Sequence, residues 1–161
     1  MLSFKKQLLA TAVLVACLST GAQAAMDHEH HSHHDKGTAQ LALNNGKKWA
    51  TDDNLRQGMG RIRDALAAEL PAIHSSTASA EQYHALAKKV HEQVEFMVKT
   101  CKLDKDADAM IHLILAELIA GADAMAEQKD NHARHLGAEK IAHALDDYGT
   151  YFDHPDWHGV K

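Results

Sequence analysis

The chain has 161 residues, 45% of them hydrophobic and 24% charged, with a formal net charge of −5. That length holds one ordinary domain with a core of its own and leaves little room for a second. The acidic balance speaks against nucleic acid as the main partner, because phosphate binding asks for a basic face. Fourteen histidines exceed what chance composition supplies, while two prolines and 5% aromatic residues suit helices packed through Leu, Ile, Val, Met and Ala.

Residues 1–24 read as an export signal. Lys5 and Lys6 form the positive start, Leu8 to Leu18 is a short apolar run, and Ala22-Gln23-Ala24 is a small-residue cleavage site. The run is shorter than the roughly 20 residues a transmembrane helix needs. Leu14-Val15-Ala16-Cys17 also fits a lipobox, which would leave Cys17 as a lipidated N-terminus; the well-spaced Ala-x-Ala site favours simple cleavage. Either route predicts export to the periplasm, with Cys101 lacking a partner in its own chain. Residues 25–40 follow as a histidine-rich arm, in which His28, His30, His31, His33 and His34 alternate with Asp27, Glu29 and Asp35. Nothing after Met26 could bury this tract, so disorder is expected. Leu41, Leu43 and Trp49 flank a turn at Asn45-Gly46 and should lie over one end of the domain.

The remainder, 41–161, shows four amphipathic segments. The first, about 52–73, is capped by Thr51 or Asp52 and carries the stripe Leu55, Met59, Ile62, Leu66, Leu70 and Ile73; Pro71 should kink or end it. The second, about 80–101, opens with a capping box at Ser79 and Gln82 and buries Tyr83, Leu86, Ala87, Val90, Val94, Met97 and Cys101. The third, about 105–128, is the most apolar. Its face of Ala107, Met110, Ile111, Ile114, Leu118, Gly121 and Met125 is widened by Leu113, Leu115 and Ile119. The fourth, about 132–152, carries Ala138, Ile141, Leu145, Tyr148 and Phe152; Gly137 weakens its start and Asp153-His154-Pro155 stops it. Short loops between such segments predict an all-α, antiparallel up-down-up-down four-helix bundle, with no strand alternation competing. A domain of this size does not need a metal to fold, so a metal site would serve function.

The arm is the strongest chemical signal. Neutral imidazole is a common ligand for Zn²⁺, Cu²⁺ and Ni²⁺, and carboxylates complete a shell, which makes His28, His30, His31, His33, His34 and Asp35 candidate ligands. A flexible tract offers several equivalent ligand sets, suited to exchangeable binding. On the fourth helix, His132, His135, Glu139 and His143 share one stripe at metal-ligand spacing; a solvated face with Glu139 paired to His143 is the plainer alternative. His112, one turn from Asp108, and His84 and His91, the latter one turn from Glu95, read as surface or boundary residues. Cys101 reads as a small buried hydrophobe, with a soft ligand or thiol sensor as the sharper alternative. There is no Cys-x-x-Cys-His, no phosphate-binding glycine loop, no His-Glu-x-x-His, no Gly-x-Ser-x-Gly and no paired Glu-x-x-His of di-iron bundles. An enzyme is not expected.

Three segments resemble a family of small exported proteobacterial helical proteins without an assigned activity: Leu43-Asn-Asn-Gly-Lys-Lys-Trp-Ala-Thr-Asp-Asp-Asn-Leu-Arg-Gln-Gly-Met59, Cys101-Lys-Leu with the helix containing His112, and Tyr148-Gly-Thr-Tyr-Phe-Asp-His-Pro-Asp-Trp157. In that pattern the residue before the final tryptophan is usually glycine, where this chain has Asp156. The resemblance implies export, helical structure and an association of some members with metal resistance. Thr51 to Met59 is also faintly similar to the first helix of soluble periplasmic b-type four-helix cytochromes, whose methionine ligates haem. Their histidine partner near the end of the fourth helix has no counterpart at Asp147-Tyr148-Gly149, so Met59 reads as core. The expected function is therefore non-enzymatic binding of divalent transition metals through the arm. An envelope protein-interaction module, motivated by the wide apolar third helix and the segment from Phe152 to Trp157, is the alternative, and a haem-binding bundle comes third.

Overall fold

The computed structural model describes residues 40–127 and 129–160. The predicted export signal, Cys17 and the arm residues His28, His30, His31, His33, His34 and Asp35 lie outside the described residues. Asn45 and Gly46 both take positive φ, 50° and 80°, as a tight hairpin turn requires, and Asn44 and Lys47 exchange backbone hydrogen bonds of 2.8 and 3.0 Å across it. A two-residue strand, β1 (Trp49–Ala50), leads into four helices: α1 (Asp53–His74), α2 (Ala80–Thr100), α3 (Lys105–Glu127) and α4 (Asn131–Tyr151). A second two-residue strand, β2 (Phe152–Asp153), pairs in parallel with β1, Trp49 opposite Phe152. This pairing was not legible as alternation because two residues carry no period.

The helix starts follow their caps. Asp52 accepts the Leu55 N–H at 2.7 Å, Ser79 and Gln82 form the reciprocal capping box, and Asp130 accepts the Ala133 N–H at 3.3 Å. Pro71 neither ends nor breaks α1, which runs on to His74. A proline this close to the C-terminus removes a single hydrogen bond, and its own carbonyl still accepts from the Ser75 N–H and hydroxyl, at 3.2 and 2.8 Å. Cys101 lies just past α2, as its extended C-cap, rather than in its last turn. The predicted end of the third helix at Gln128 falls outside the described residues.

The four helices pack around one core. Leu55, Met59, Ile62 and Leu66 from α1 meet Leu86, Val90 and Met97 from α2, Ile114, Leu118 and Met125 from α3, and Ile141, Leu145 and Tyr148 from α4. Among the described residues, every buried side chain of this core is apolar or aromatic. Met59 is fully buried within it. The N-terminus of α1 lies beside the C-terminus of α2, where Asn54 Nδ2 donates to the Thr100 carbonyl at 2.9 Å; at the far ends, Gln82 Nε2 reaches Glu69 at 3.0 Å. His91 of α2 meets Asp123 of α3 at 3.0 Å, and Lys140 of α4 meets Glu117 of α3 at 2.6 Å.

α3 and α4 make the most intimate contact, through two glycines. A Cβ on Gly121 would stand 2.7 Å from the Gly137 carbonyl oxygen, and a Cβ on Gly137 would stand 2.7 Å from that of Gly121. Gly137 was expected to weaken its helix; its missing side chain instead lets the two backbones meet. The wide apolar face of α3 is divided: Leu115 is buried, Leu113 half-buried and Ile119 exposed. By length and composition α3 would suffice to cross a bilayer, and its stripe from Ala107 to Met125 lies in the core.

Candidate functional site

Two places in the bundle hold polar side chains in defined geometry. The first is a cleft of about 420 Å³ between the loop after α1 and the start of α4, lined by Ser76, Tyr83, His132, His135, Leu136 and Glu139 among others. Three of the four residues predicted as a helical metal face therefore do line one cleft. His143 is exposed and is not part of its lining. Glu139 pairs with His135, whose Nε2 lies 3.2 Å from Oε1, and not with His143 as the plainer sequence reading had it. Among the described residues no group of three or more His, Cys, Asp or Glu side chains is placed to hold a metal ion. The reason is geometric: His132 to His143 covers about 16 Å of helix rise, so one stripe cannot converge on a single ion. A second element would have to supply ligands, and the facing residues here include Ser76 and Tyr83.

Two further helix histidines each have a single carboxylate partner. His112 Nδ1 lies 2.8 Å from the Asp108 carbonyl and 3.5 Å from its carboxylate, as the one-turn spacing predicted. His91 takes its carboxylate from the neighbouring helix, at Asp123, while Glu95 pairs with Lys99. Sequence spacing within one helix could not show that choice.

The second place is the opposite end of the bundle, and sequence reasoning did not assemble it. Asp52 sits at its centre. One carboxylate oxygen caps α1 at Leu55, and the other accepts the Lys102 N–H at 2.5 Å, which ties the start of α1 to the end of α2. Thr51 Oγ1 donates to the Asp153 carbonyl at 2.6 Å, Lys48 Nζ reaches the Gly149 carbonyl at 2.5 Å, and Arg56 Nη1 donates to the Thr51 carbonyl at 2.8 Å. Trp49 Nε1 donates to the Ala42 carbonyl at 2.6 Å. Beyond α4, Phe152 is fully buried and stacks on Tyr148 with centroids 5.5 Å apart. Tyr148 is hydrogen-bonded to His154 Nδ1 at 3.0 Å and meets Trp157 edge-on at 4.7 Å. Arg63 lies 5.3 Å from the centre of the Trp157 ring, a cation–π distance. Three stretches far apart in sequence, around Trp49–Asp52, Cys101–Lys102 and Tyr148–Trp157, thus meet at one end. Asp156 adopts φ 58°, and aspartate is among the residues that enter the left-handed region most readily.

The electrostatics of this end are those of a closed structure. Burial pushes the Cys101 thiol up to about 12, with further upward pressure from the Asp52 carboxylate, its hydrogen bond to the thiol and Asp108. The thiol is therefore half-buried and protonated, unlike the thiolates that ligate metals or react. Burial also raises Tyr148 above the ordinary phenol range. His154 is lowered, by burial first and then by Arg56 and Arg63, against a smaller opposing pull from Asp156. Replacing Asp52 with asparagine keeps one acceptor oxygen for the cap, gives up the bond to Lys102 and removes the charge facing Cys101. The expected result is faster alkylation at Cys101, with about tenfold more thiolate for each pKa unit recovered and a smaller gain in rate because the less basic thiolate is a weaker nucleophile, measured by peptide mapping after a timed iodoacetamide pulse at neutral pH. An unchanged rate would show that burial alone silences the thiol.

Comparison of the chain with protein-family models, with curated proteins and with solved structures returns no match, so its functional reading rests on its own residues.

Proposed function

We propose that the protein is an exported, non-enzymatic, antiparallel up-down-up-down four-helix bundle that binds divalent transition metals, Zn²⁺, Cu²⁺ or Ni²⁺, through its histidine-rich arm over 25–40, as buffer, scavenger or delivery partner. It reaches the periplasm by cleavage after Ala24, with lipid anchoring through Cys17 as the other route. The observation that carries the reading is the density of ligands from Asp27 to Asp35: five imidazoles and three carboxylates within nine residues. What supports it from the bundle is the contrast. Three imidazoles there, His91, His112 and His135, are each paired with a single carboxylate, and the core is filled by apolar and aromatic side chains. The bundle on this reading is the folded carrier of a metal-binding segment.

The mature protein is expected to bind more than one Zn²⁺ per chain in calorimetry, and deletion of 27–35 is expected to remove most of that capacity while leaving the helical circular-dichroism signal unchanged. Because ligation needs neutral imidazole, affinity should fall as pH drops below about 6.5. Binding no tighter than millimolar in the intact mature chain would overturn the reading.

The alternative, a protein-interaction module, keeps one of its two motivations. Ile119 on α3, with Val98 on α2 and Leu136 on α4, is an exposed large hydrophobic residue. The terminal segment is spent differently: Phe152 is buried and Trp157 packs on Tyr148, so little of its aromatic surface is offered outward.

A further inference from the structure

The chain after β2 turns back over the end of α4. The Trp157 N–H donates to the His154 carbonyl at 3.2 Å, closing a turn that places both rings against Tyr148. The Trp157 indole occupies a niche that exists because residue 149 is glycine: a Cβ there would stand 2.6 Å from both Cδ1 and Nε1 of the ring. Val160 packs against the core edge. The side-chain hydrogen bond that fastens this tail is the one between the Tyr148 hydroxyl and His154 Nδ1, and Trp157 Nε1 is buried with no partner among the described residues. Docking thus rests on aromatic contact and on one hydrogen bond to the His154 imidazole, which stands half-buried beside both Tyr148 and Trp157.

We propose that the tail over 154–160 is an acid-opened latch, in which protonation of His154 releases it from the bundle and uncovers the Tyr148 ring. Protonation would put a positive charge into this half-buried aromatic setting, and where the Tyr148 hydroxyl is the donor it would force that hydroxyl to turn and accept instead. The new charge would also join two guanidinium groups on α1, Arg56 and Arg63, in a half-buried setting. Asp156 within the tail is the acidic group that opposes this, and Asp52 and Cys101 lie near Tyr148, Asp52 as a carboxylate and Cys101 as a protonated thiol. The lowered pKa of docked His154 agrees in sign. A docked state that holds a proton less tightly than the free tail is favoured above the ordinary histidine value of 6.5 and loses that advantage as pH falls through the lower docked value. The latch is independent of the metal reading, since it uses none of the proposed ligands.

The test uses the mature chain with a chelator present and follows the two tryptophan indole N–H resonances by nuclear magnetic resonance from about pH 7.5 to about pH 5, the range in which imidazole titrates. Trp157 is expected to move from a docked to a solvent-exposed position while Trp49 stays in place. The docking equilibrium should weaken by up to tenfold per pH unit between the free histidine value of 6.5 and the lower docked value, and level off below it. The His154 imidazole signal should titrate with the same midpoint. His154→Gln, which cannot take up the proton, should abolish the Trp157 transition. A Trp157 resonance that stays docked throughout, one that moves together with Trp49 in general unfolding, or one that tracks a different imidazole overturns the proposal, as does an unaltered transition in His154→Gln. Should that variant fail to fold, the shared midpoint in the unaltered chain decides alone.

Discussion

Phe152→Ala is expected to lower the unfolding free energy by about 3–5 kcal/mol, the usual cost of emptying a large buried aromatic site. Three observations place it at the high end of substitutions in this chain. The ring is fully buried, it stacks on Tyr148 with planes 16° apart, and its backbone both ends α4 and pairs with Trp49. Removing the ring leaves a cavity that neighbours cannot easily fill, because the backbone pairing holds β1 and β2 in place. Leu136→Ala is the matched control: Leu136 is 49% exposed, so its loss should fall within about 0.5 kcal/mol of neutral. Urea titration followed by circular dichroism measures both. A loss below about 1 kcal/mol for Phe152→Ala would mean that the end of the bundle collapses around the deletion, and that the stack contributes little beyond the packing that replaces it.

The glycine contact between α3 and α4 yields the second large effect, and here two forces of opposite sign compete. Alanine in a helix interior is favoured over glycine by about 1 kcal/mol. At Gly121 and Gly137, however, the added methyl would approach a backbone carbonyl oxygen of the facing helix at 2.7 Å, and on Gly121 also Ile141 Cγ1 at 2.7 Å. A backbone oxygen retreats only if the helix does. Overpacking of this kind costs about 1–3 kcal/mol, so each substitution should be destabilising on balance. Gly121→Val or Gly137→Val adds more volume against the same oxygens and should cost more still. Gly60 gives the comparison within the same protein: no heavy atom lies within 4 Å of its added Cβ, so Gly60→Ala should be stabilising by about 0.5–1 kcal/mol. Thermal melts of the three alanine variants test the set. If Gly121→Ala or Gly137→Ala raised the melting temperature as Gly60→Ala does, the close approach of the two helices would be wrong.

The four helices were legible in the chain because local causes agree there. Apolar stripes of period 3.6 coincide with Asp52, Ser79 and Asp130 at the caps, and with loops too short for anything but neighbouring helices. The buried positions from Leu55 to Leu66 and from Ala138 to Tyr148 follow from the same periodicity. The histidine-rich tract is legible for another reason: five histidines between 28 and 34 are a matter of composition, which needs no fold to be seen.

What the sequence by itself determined, then, is the helices and their inward faces. Only the tertiary structure decided which polar groups meet. Asp52 was recognisable as a cap, yet its second oxygen serves Lys102, 50 residues on. Trp49 opposite Phe152, Thr51 against Asp153 and His91 against Asp123 are contacts between elements, and no periodicity within one element specifies them. Gly137 looked like a local defect until Gly121 was placed across from it. The stripe of His132, His135, Glu139 and His143 was read as one face; the fold brings the first three to one cleft and leaves His143 outside its lining, because residues aligned on a helix face are spread along its axis. Helix periodicity fixes the direction in which a side chain leaves its helix. The distance to a partner on another helix depends on how the backbones pack, and here the small residues and aromatic rings at the ends of the bundle set that packing.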